Sequence, residues 1–494
     1  MLHLKARLAA GLAIVVAAGW GCGRGQPPAT ETAAPVAVVP ITTGSEQALE
    51  AYLAGRGLQE RLRGADARAE FEKAAAADPS FALAQLGLAT TAATNQDFFA
   101  AAARAQQLAA TASEGERLTI EAFMAGVNAQ PDRQRELLES LQRSFPNDQR
   151  VQQQLANFHF FTRQDYGAAA SHLERAIAID PEFSPAYNLL GYARRFLGDL
   201  EAAEAAFRRY TELIPDEPNP HDSYAELLMK VGRFDESIAA YRRALEVDPG
   251  FVNAYVGIAN DLIFKGEAPA ARAELLRLEE VAQNDAQRRL AHLWSAASWL
   301  HEGDEEQALA EIRRATEVAA ATSDLGAIAG DRNYEAEILL AAGRLDDAER
   351  AFRDGVDLAQ RSDATAEVKQ AAQRNLLHDL GRVAVARGEL EQARRLSQQY
   401  RDEVAVSKVP FEEWQSHELD GLIAAASADW AGAAAELGQA NQQNPLVLFA
   451  VARVLAEAGD AEGAQAACRR VVAFNQLNLN HGLVRPLALA MCGS

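Results

Sequence analysis

Apolar residues recur at three- and four-residue spacing along most of the chain, with small side chains at fixed intervals among them. In the middle, Tyr187 with Leu190 and Ala203 with Phe207 mark helical rather than strand periodicity. Four columns then repeat in phase. Pro181, Pro215 and Pro249 are 34 residues apart, and Gly198, Gly232 and Gly266 keep the same interval. So do the small residues Gly191, Ala225 and Ala259, and the bulky residues Phe207, Tyr241 and Leu275. One such column would mean little; four in phase establish an internal repeat.

Each column has a physical task. The prolines cannot continue a helix, so they close one helical hairpin before the next begins. The glycines stand where the first helix stops, a place that favours left-handed backbone. Five residues further on, Ala203, Ser237 and Ala271 leave room for the two helices of a hairpin to approach. The bulky column fills the space between successive hairpins.

These residues resemble the tetratricopeptide repeat family, whose unit is a 34-residue helix-turn-helix. Tyr187-Asn188-Leu189-Leu190-Gly191-Tyr192 is similar to its first helix, and Ala203, Phe207 and Pro215 to its second helix and terminator. The glycine-to-alanine offset persists at Gly303 and Ala308, Gly343 and Ala348, Gly388 and Ala393, and Gly459 and Ala464. Upstream, Gly55, Ala67, Phe71, Ala74 and Pro79 fit a first repeat starting near Gln47. The resemblance implies an all-α fold, a tetratricopeptide-type α-solenoid of about 11–12 hairpins over residues 45–494. It is most regular over 150–285, and a helix over 478–491 is expected to cap the last hairpin.

Two stretches depart from the pattern. Between Asn95 and Pro146 the signature is faint, as expected of degenerate hairpins. From Gly303 to Gly343 is 40 residues, and from Gly343 to Gly388 is 45, which predicts hairpins with longer helices. The opening units and the ending Phe474-Asn475-Gln476-Leu477-Asn478 are also similar to the repeat regions of some bacterial regulators, without any kinase sequence before them.

The amino terminus has a different character. Residues 1–21 carry a short basic start and a thirteen-residue, mostly apolar core from Leu8 to Trp20, as a signal peptide does. Ala18-Gly19-Trp20-Gly21-Cys22 resembles a bacterial lipobox, with Gly19 and Trp20 where leucine and a small residue are usual. That resemblance implies lipidation at Cys22 and, since Gly23 follows, the outer membrane facing the periplasm. Ordinary cleavage with secretion to the periplasm and an uncleaved anchor stay open. Residues 22–44, rich in proline, alanine and threonine, read as a flexible tether.

Composition narrows the partner. A net charge of −21 repels nucleic acid, and recurring pairs such as Arg208-Arg209 and Arg242-Arg243 are interleaved with Glu204 and Glu236, as on a solvated face. Membrane contact is expected through the lipid anchor only. No metal-ligand spacing, catalytic set or cofactor motif stands out: His301-Glu302 sits at a turn, and His221-Asp222 and His378-Asp379 are sequence neighbours whose side chains are expected to diverge. In an exported protein Cys468 and Cys492 could pair in a disulfide; two small buried apolar side chains is at least as good a reading.

The family resemblance implies that first helices line an inner face that binds partner segments. That face is expected to include Phe158, Phe161, Asn188, Tyr192, Arg195, Phe196, Asp222, Glu226, Lys230, Asn260, Ile263 and Phe264. The function expected is a non-enzymatic protein-interaction scaffold or adaptor of the cell envelope. A periplasmic peptide- or glycan-binding protein is the alternative.

Overall fold

The computed structural model describes residues 38–492 apart from 93, 94, 129 and 408. Among these residues every regular element is helical. The proposed signal sequence and Cys22 lie outside the described residues.

The chain divides after Pro220 into two compact units. The first holds α1 (Glu46–Glu60), α2 (Gly64–Ala77), α3 (Ala82–Thr90), α4 (Asn95–Ala109), α5 (Glu114–Val127), α6 (Pro131–Ser144), α7 (Gln149–Asn157), α8 (Tyr166–Ile179), α9 (Ser184–Phe196) and α10 (Leu200–Leu213). The division falls within α11 (Pro218–Lys230). The second unit continues with α12 (Phe234–Val247), α13 (Val252–Phe264), α14 (Ala268–Val281), α15 (Asp285–His301), α16 (Glu305–Ala321), α17 (Leu325–Ala341) and α18 (Leu345–Arg361). It ends with α19 (Ala366–Arg387), α20 (Leu390–Ser407), α21 (Pro410–Ala426), α22 (Trp430–Gln439), α23 (Pro445–Glu457), α24 (Ala461–Val472) and α25 (His481–Cys492). Each odd helix through α23 is followed by its hairpin partner, giving an all-α solenoid of helical hairpins.

The repeat columns have the expected backbone. Gly198, Gly232, Gly266, Gly303, Gly343, Gly388 and Gly459 all adopt φ between +74° and +81° at the hairpin turns. Hairpins whose turns lack glycine reach the same region through Leu62, Gln164 and Ala428. At these three turns the left-handed geometry persists although its usual residue is gone.

The bulky column packs on the small one. Phe71 lies between Gly55 of its own hairpin and Gly87 of the next, and a Cβ on Gly87 would stand 2.7 Å from its ring. Phe207 packs on Gly191, and Tyr241 packs on Gly257 of the next hairpin, two residues before the small-column Ala259. Ser237 hydrogen-bonds the Ala225 carbonyl at 2.8 Å, so the close approach of α11 and α12 is satisfied as well as tight. The wide glycine spacings reflect helix length: α15 to α18 have 17 residues each, against 13 or 14 in α9 to α14.

The last part of the stretch that composition includes in an expected tether is held in place. Residues 38–44 run as an extended strap over the first unit. The Val39 N–H donates to Asp148 Oδ2 at 2.9 Å, the Thr42 N–H to Glu116 Oε1 at 2.7 Å, and the Thr43 hydroxyl to Asp78 Oδ2 at 2.6 Å. Asp148 and Glu116 already cap α7 and α5, so carboxylates placed for helix capping also take the backbone of an extended segment. Val39 and Ile41 also pack against the cores of the first unit.

Candidate functional site

The expected partner face separates into two regions with different fates. In the first unit, α7 runs into a π-helical turn, Phe158–Arg163, which Gln164 ends at φ +53°. The wider turn carries Phe160 and Phe161 toward α8 and α9. Phe160 contacts Phe161, Tyr166 and Phe196 edge-on, at centroid distances of 4.8, 5.2 and 5.7 Å. Tyr166 stacks on Phe196 at 4.6 Å. Phe161 and Phe196 remain 43% and 44% exposed, with Leu197 and Leu200 exposed beside them. Asn188, Tyr192 and Arg195 are half-buried on α9, and the Tyr192 ring meets Phe207 at 5.0 Å.

Phe158 belongs elsewhere. It is buried in the core formed by α5, α6 and α7, a correction to its expected place on the partner face. Sequence spacing assumed an unbroken α-helix there; the π-turn instead exposes Phe161 and recruits Phe160 and Tyr166. The aromatic run Phe158-His159-Phe160-Phe161 is a sequence signal for Phe160; Tyr166 stands outside it.

A cleft of about 570 Å³ also opens in the first unit, lined by Glu60, Arg61, Arg150, Asp180, Phe183 and Arg209 among others. Arg150 bonds Glu60 at 2.7 Å and lies over the Phe183 ring, Arg209 bonds Glu212, and Arg61 lies 3.7 Å from Glu217. Its arginines are thus matched by carboxylates, and the cleft is open and mixed in polarity rather than deep and apolar.

In the second unit the face is already covered. Residues 474–492 fold back over it. Lys230 lies over the Phe474 ring at 5.4 Å, and the Tyr334 hydroxyl donates to the Leu479 carbonyl at 3.2 Å. Asn260 accepts from His481 at 3.0 Å, and Phe264 packs on the His481 ring and beneath the Arg485 guanidinium. Leu483, Val484 and Ala488 join the core built from Leu300, Tyr334, Ile338 and Val383. A Cβ on Gly482 would stand 2.9 Å from the Ala297 carbonyl oxygen, which marks the closest approach of α25 to α15. Asn260, Ile263 and Phe264, expected to be open to a partner, are therefore buried. Asp222 is buried too; burial, with the Glu226 charge, pushes its carboxyl well above the usual carboxylate range. Glu226 stays half-buried on the same helix.

The helix expected over 478–491 forms as His481–Cys492, but it is more than a cap on the last hairpin. It touches α24 and α23 and crosses to α15. The turn expected to be solvated at His301 is a further correction, because the last turn of α15 faces α25. His301 Nε2 lies 2.8 Å from His481 Nδ1. One proton arrangement fits all three contacts. His301 Nε2–H donates to His481 Nδ1, His481 Nε2–H donates to Asn260, and the Asn260 amide donates to the Val256 carbonyl at 2.9 Å. Burial, with Arg485 nearby, pushes His301 down to about 3; burial and His301 push His481 well below the usual histidine range. Both rings are neutral at pH 7.

Cys468 on α24 is bonded to Cys492 at the end of α25, with Cα atoms 6.0 Å apart. His378 and Asp379, expected to diverge, meet at 3.2 Å, and the same Asp379 oxygen lies 3.7 Å from Arg382 one turn on. Among the described residues no group of three or more histidine, cysteine or acidic side chains is placed to hold a metal. The recurring arginines form ion pairs along the second helices, among them Arg208 with Glu204, Arg243 with Glu246 and Arg353 with Glu349.

Comparison with known proteins agrees with the repeat. Residues 160–227 and 228–293 match the tetratricopeptide repeat family. No curated protein matches the chain. Among solved structures, a tetratricopeptide repeat protein from Parabacteroides merdae is 15% identical over 51% of this chain and 92% of its own, with a TM-score of 0.36. MamA is 20% identical over 34% of this chain and 94% of its own, at 0.30. YrrB, described as having an unusual peptide-binding site, is 15% identical over 37% and 91%, at 0.28.

Proposed function

We propose that this chain, which carries tetratricopeptide repeats over residues 160–293, is a protein-interaction scaffold that takes segments of a partner on its first helices. Repeats of this kind generally mediate protein–protein contacts. One observation carries the reading further: the second unit already holds a helix, α25, on this face, and Lys230, Asn260 and Phe264 touch the segment it belongs to. A surface that receives the chain's own segment has the shape and chemistry to receive another.

In the first unit the corresponding residues remain accessible. Phe161 and Phe196 offer exposed aromatic anchors, with Tyr192, Asn188 and Arg195 beside Phe196 on α9. Aromatic anchors ringed by polar groups suit a protein partner. The open, charge-lined cleft counts against a small apolar ligand. The lipobox-like sequence before Cys22 supports attachment to the bacterial envelope, with the repeats displayed from it.

Affinity capture from envelope extract tests the binding face. Wild type is expected to retain partners that Tyr192→Ala and Phe196→Ala lose; both variants recovering the same partners as wild type would remove the assignment. Metabolic labelling with a fatty acid tests Cys22, and an unlabelled protein would remove the anchor.

A further inference from the structure

A terminal capping helix covers the apolar face of the repeat beside it and turns a polar face outward. α25 departs from that description on both sides. Inward, it leaves α24 and reaches residues up to 221 positions earlier in the chain. Outward, it presents Leu487, Leu489 and Met491, which are 53%, 41% and 41% exposed.

Its seat is also partly polar. Beside the apolar contacts of Leu483, Val484 and Ala488, it includes the imidazole pair and the Asn260 amide, which act as one hydrogen-bonded chain. Two ties keep α25 near α24: the connecting residues 473–480, and the Cys468–Cys492 bond at the opposite end. Only the second can be opened by redox chemistry, and losing it widens the volume that the helix can explore.

We infer that α25 is a redox-gated latch, held on the inner face of the second unit while Cys468–Cys492 is intact and released when a dithiol reduces that bond. The exchange balances. A thiolate of the dithiol attacks the sulfur of Cys492, the less buried of the two residues, and Cys468 leaves as a thiolate and takes a proton. The second thiolate of the reductant then displaces Cys492, and the reductant departs as its own disulfide, having given two electrons. The opened face fits a partner helix built like α25. Such a helix carries a small residue against Ala297, as Gly482 is, and a cation over Phe264, as Arg485 is. It also carries an aliphatic pair at the spacing of Val484 and Ala488, and a neutral hydrogen-bonding group toward Asn260 and His301.

The partner specification rests on the segment-binding reading above, and the experiment separates the two. Full-length protein is examined oxidised, reduced with dithiothreitol, and as the Cys468→Ser/Cys492→Ser double variant, with far-UV circular dichroism showing that each stays folded. Amide hydrogen exchange across residues 481–492 and 293–300 is expected to speed at least tenfold on reduction and in the double variant. A fluorescein-labelled peptide of residues 476–492 carrying Cys492→Ser is expected to bind those two forms at least tenfold more tightly than the oxidised protein. Exchange that is the same in all three forms overturns the latch, as does equal peptide affinity. Faster exchange without peptide binding to any form upholds the latch and refutes segment binding by this face.

Discussion

His301 and His481 are 180 residues apart in sequence and share a hydrogen bond of 2.8 Å, with Nε2 of one facing Nδ1 of the other. Only one proton fits between two nitrogens so placed. Protonating His481 points two N–H groups at each other, and a charge on either ring would be buried beside the Arg485 guanidinium. The pair is therefore stable as two neutral imidazoles.

A pH dependence follows, with a definite sign. Both histidines have folded values below the ordinary value of about 6.5, so the unfolded or undocked chain binds protons first. Their contribution is whole above about pH 6.5 and falls as pH drops toward the folded values, by about 1.4 kcal/mol per pH unit for each ring. Thermal unfolding between pH 7 and 4 should show this loss, and His481→Gln should flatten it. An equal slope in the variant would remove the pair as its cause.

Asp261 has the opposite sign. It is fully buried on α13, and neither carboxyl oxygen has a hydrogen-bond partner; the neighbouring Ser237 hydroxyl is given to Ala225 instead. Burial pushes it up to about 8, so its stabilising contribution is whole below about pH 3.8 and is lost as pH rises from there to about 8. Asp261→Asn should raise Tm at pH 8 and change it little at pH 4. A variant that melts lower at pH 8 would contradict this.

Gly257→Ala tests the packing of the repeat. The added Cβ would stand 2.1 Å from Tyr241 Cζ, so the ring must move out of the space between hairpins. Overpacking of this kind costs about 1–3 kcal/mol, readable as a lower urea midpoint with an unchanged slope. An unchanged midpoint would show that the two hairpins are looser than their contact implies.

Glu337 and Arg382 bind at 2.6 and 2.8 Å through both guanidinium arms, across α17 and α19. Burial alone would raise the Glu337 carboxyl, and Arg382 holds it below the usual range instead. Arg382→Ala should destabilise by stranding a largely buried carboxylate, while Glu337→Leu/Arg382→Met should cost far less. Denaturant titration distinguishes them; equal losses would show that packing, not charge, is at stake.

The hairpin stack was legible in the sequence because each repeat column has its own steric reason. Proline ends a helix, glycine takes the left-handed turn, and a small residue admits Phe207 or Tyr241. Three features were not legible. The π-turn at Phe158–Arg163 is set by packing among Phe160, Tyr166 and Phe196, not by periodicity. The strap at 38–44 is held largely by partners far along the chain, such as Glu116 and Asp148, which local sequence does not point to. The course of α25 depends on contacts such as His481 with Asn260, whose partners lie more than 200 residues apart. Lys230, Asn260 and Phe264 were placed on a segment-binding face, yet nothing local to them shows that the segment is the chain's own.

Site-specific photocrosslinking tests the segment-binding face most directly. Benzoylphenylalanine replaces Phe196 on the first-helix side in one protein and Arg208 on the second helix in another, and both are irradiated in envelope extract. Covalent adducts at position 196 that are absent at 208 are the predicted result. Adducts equal at both positions, or found only at 208, would contradict a partner segment seated on the first helices.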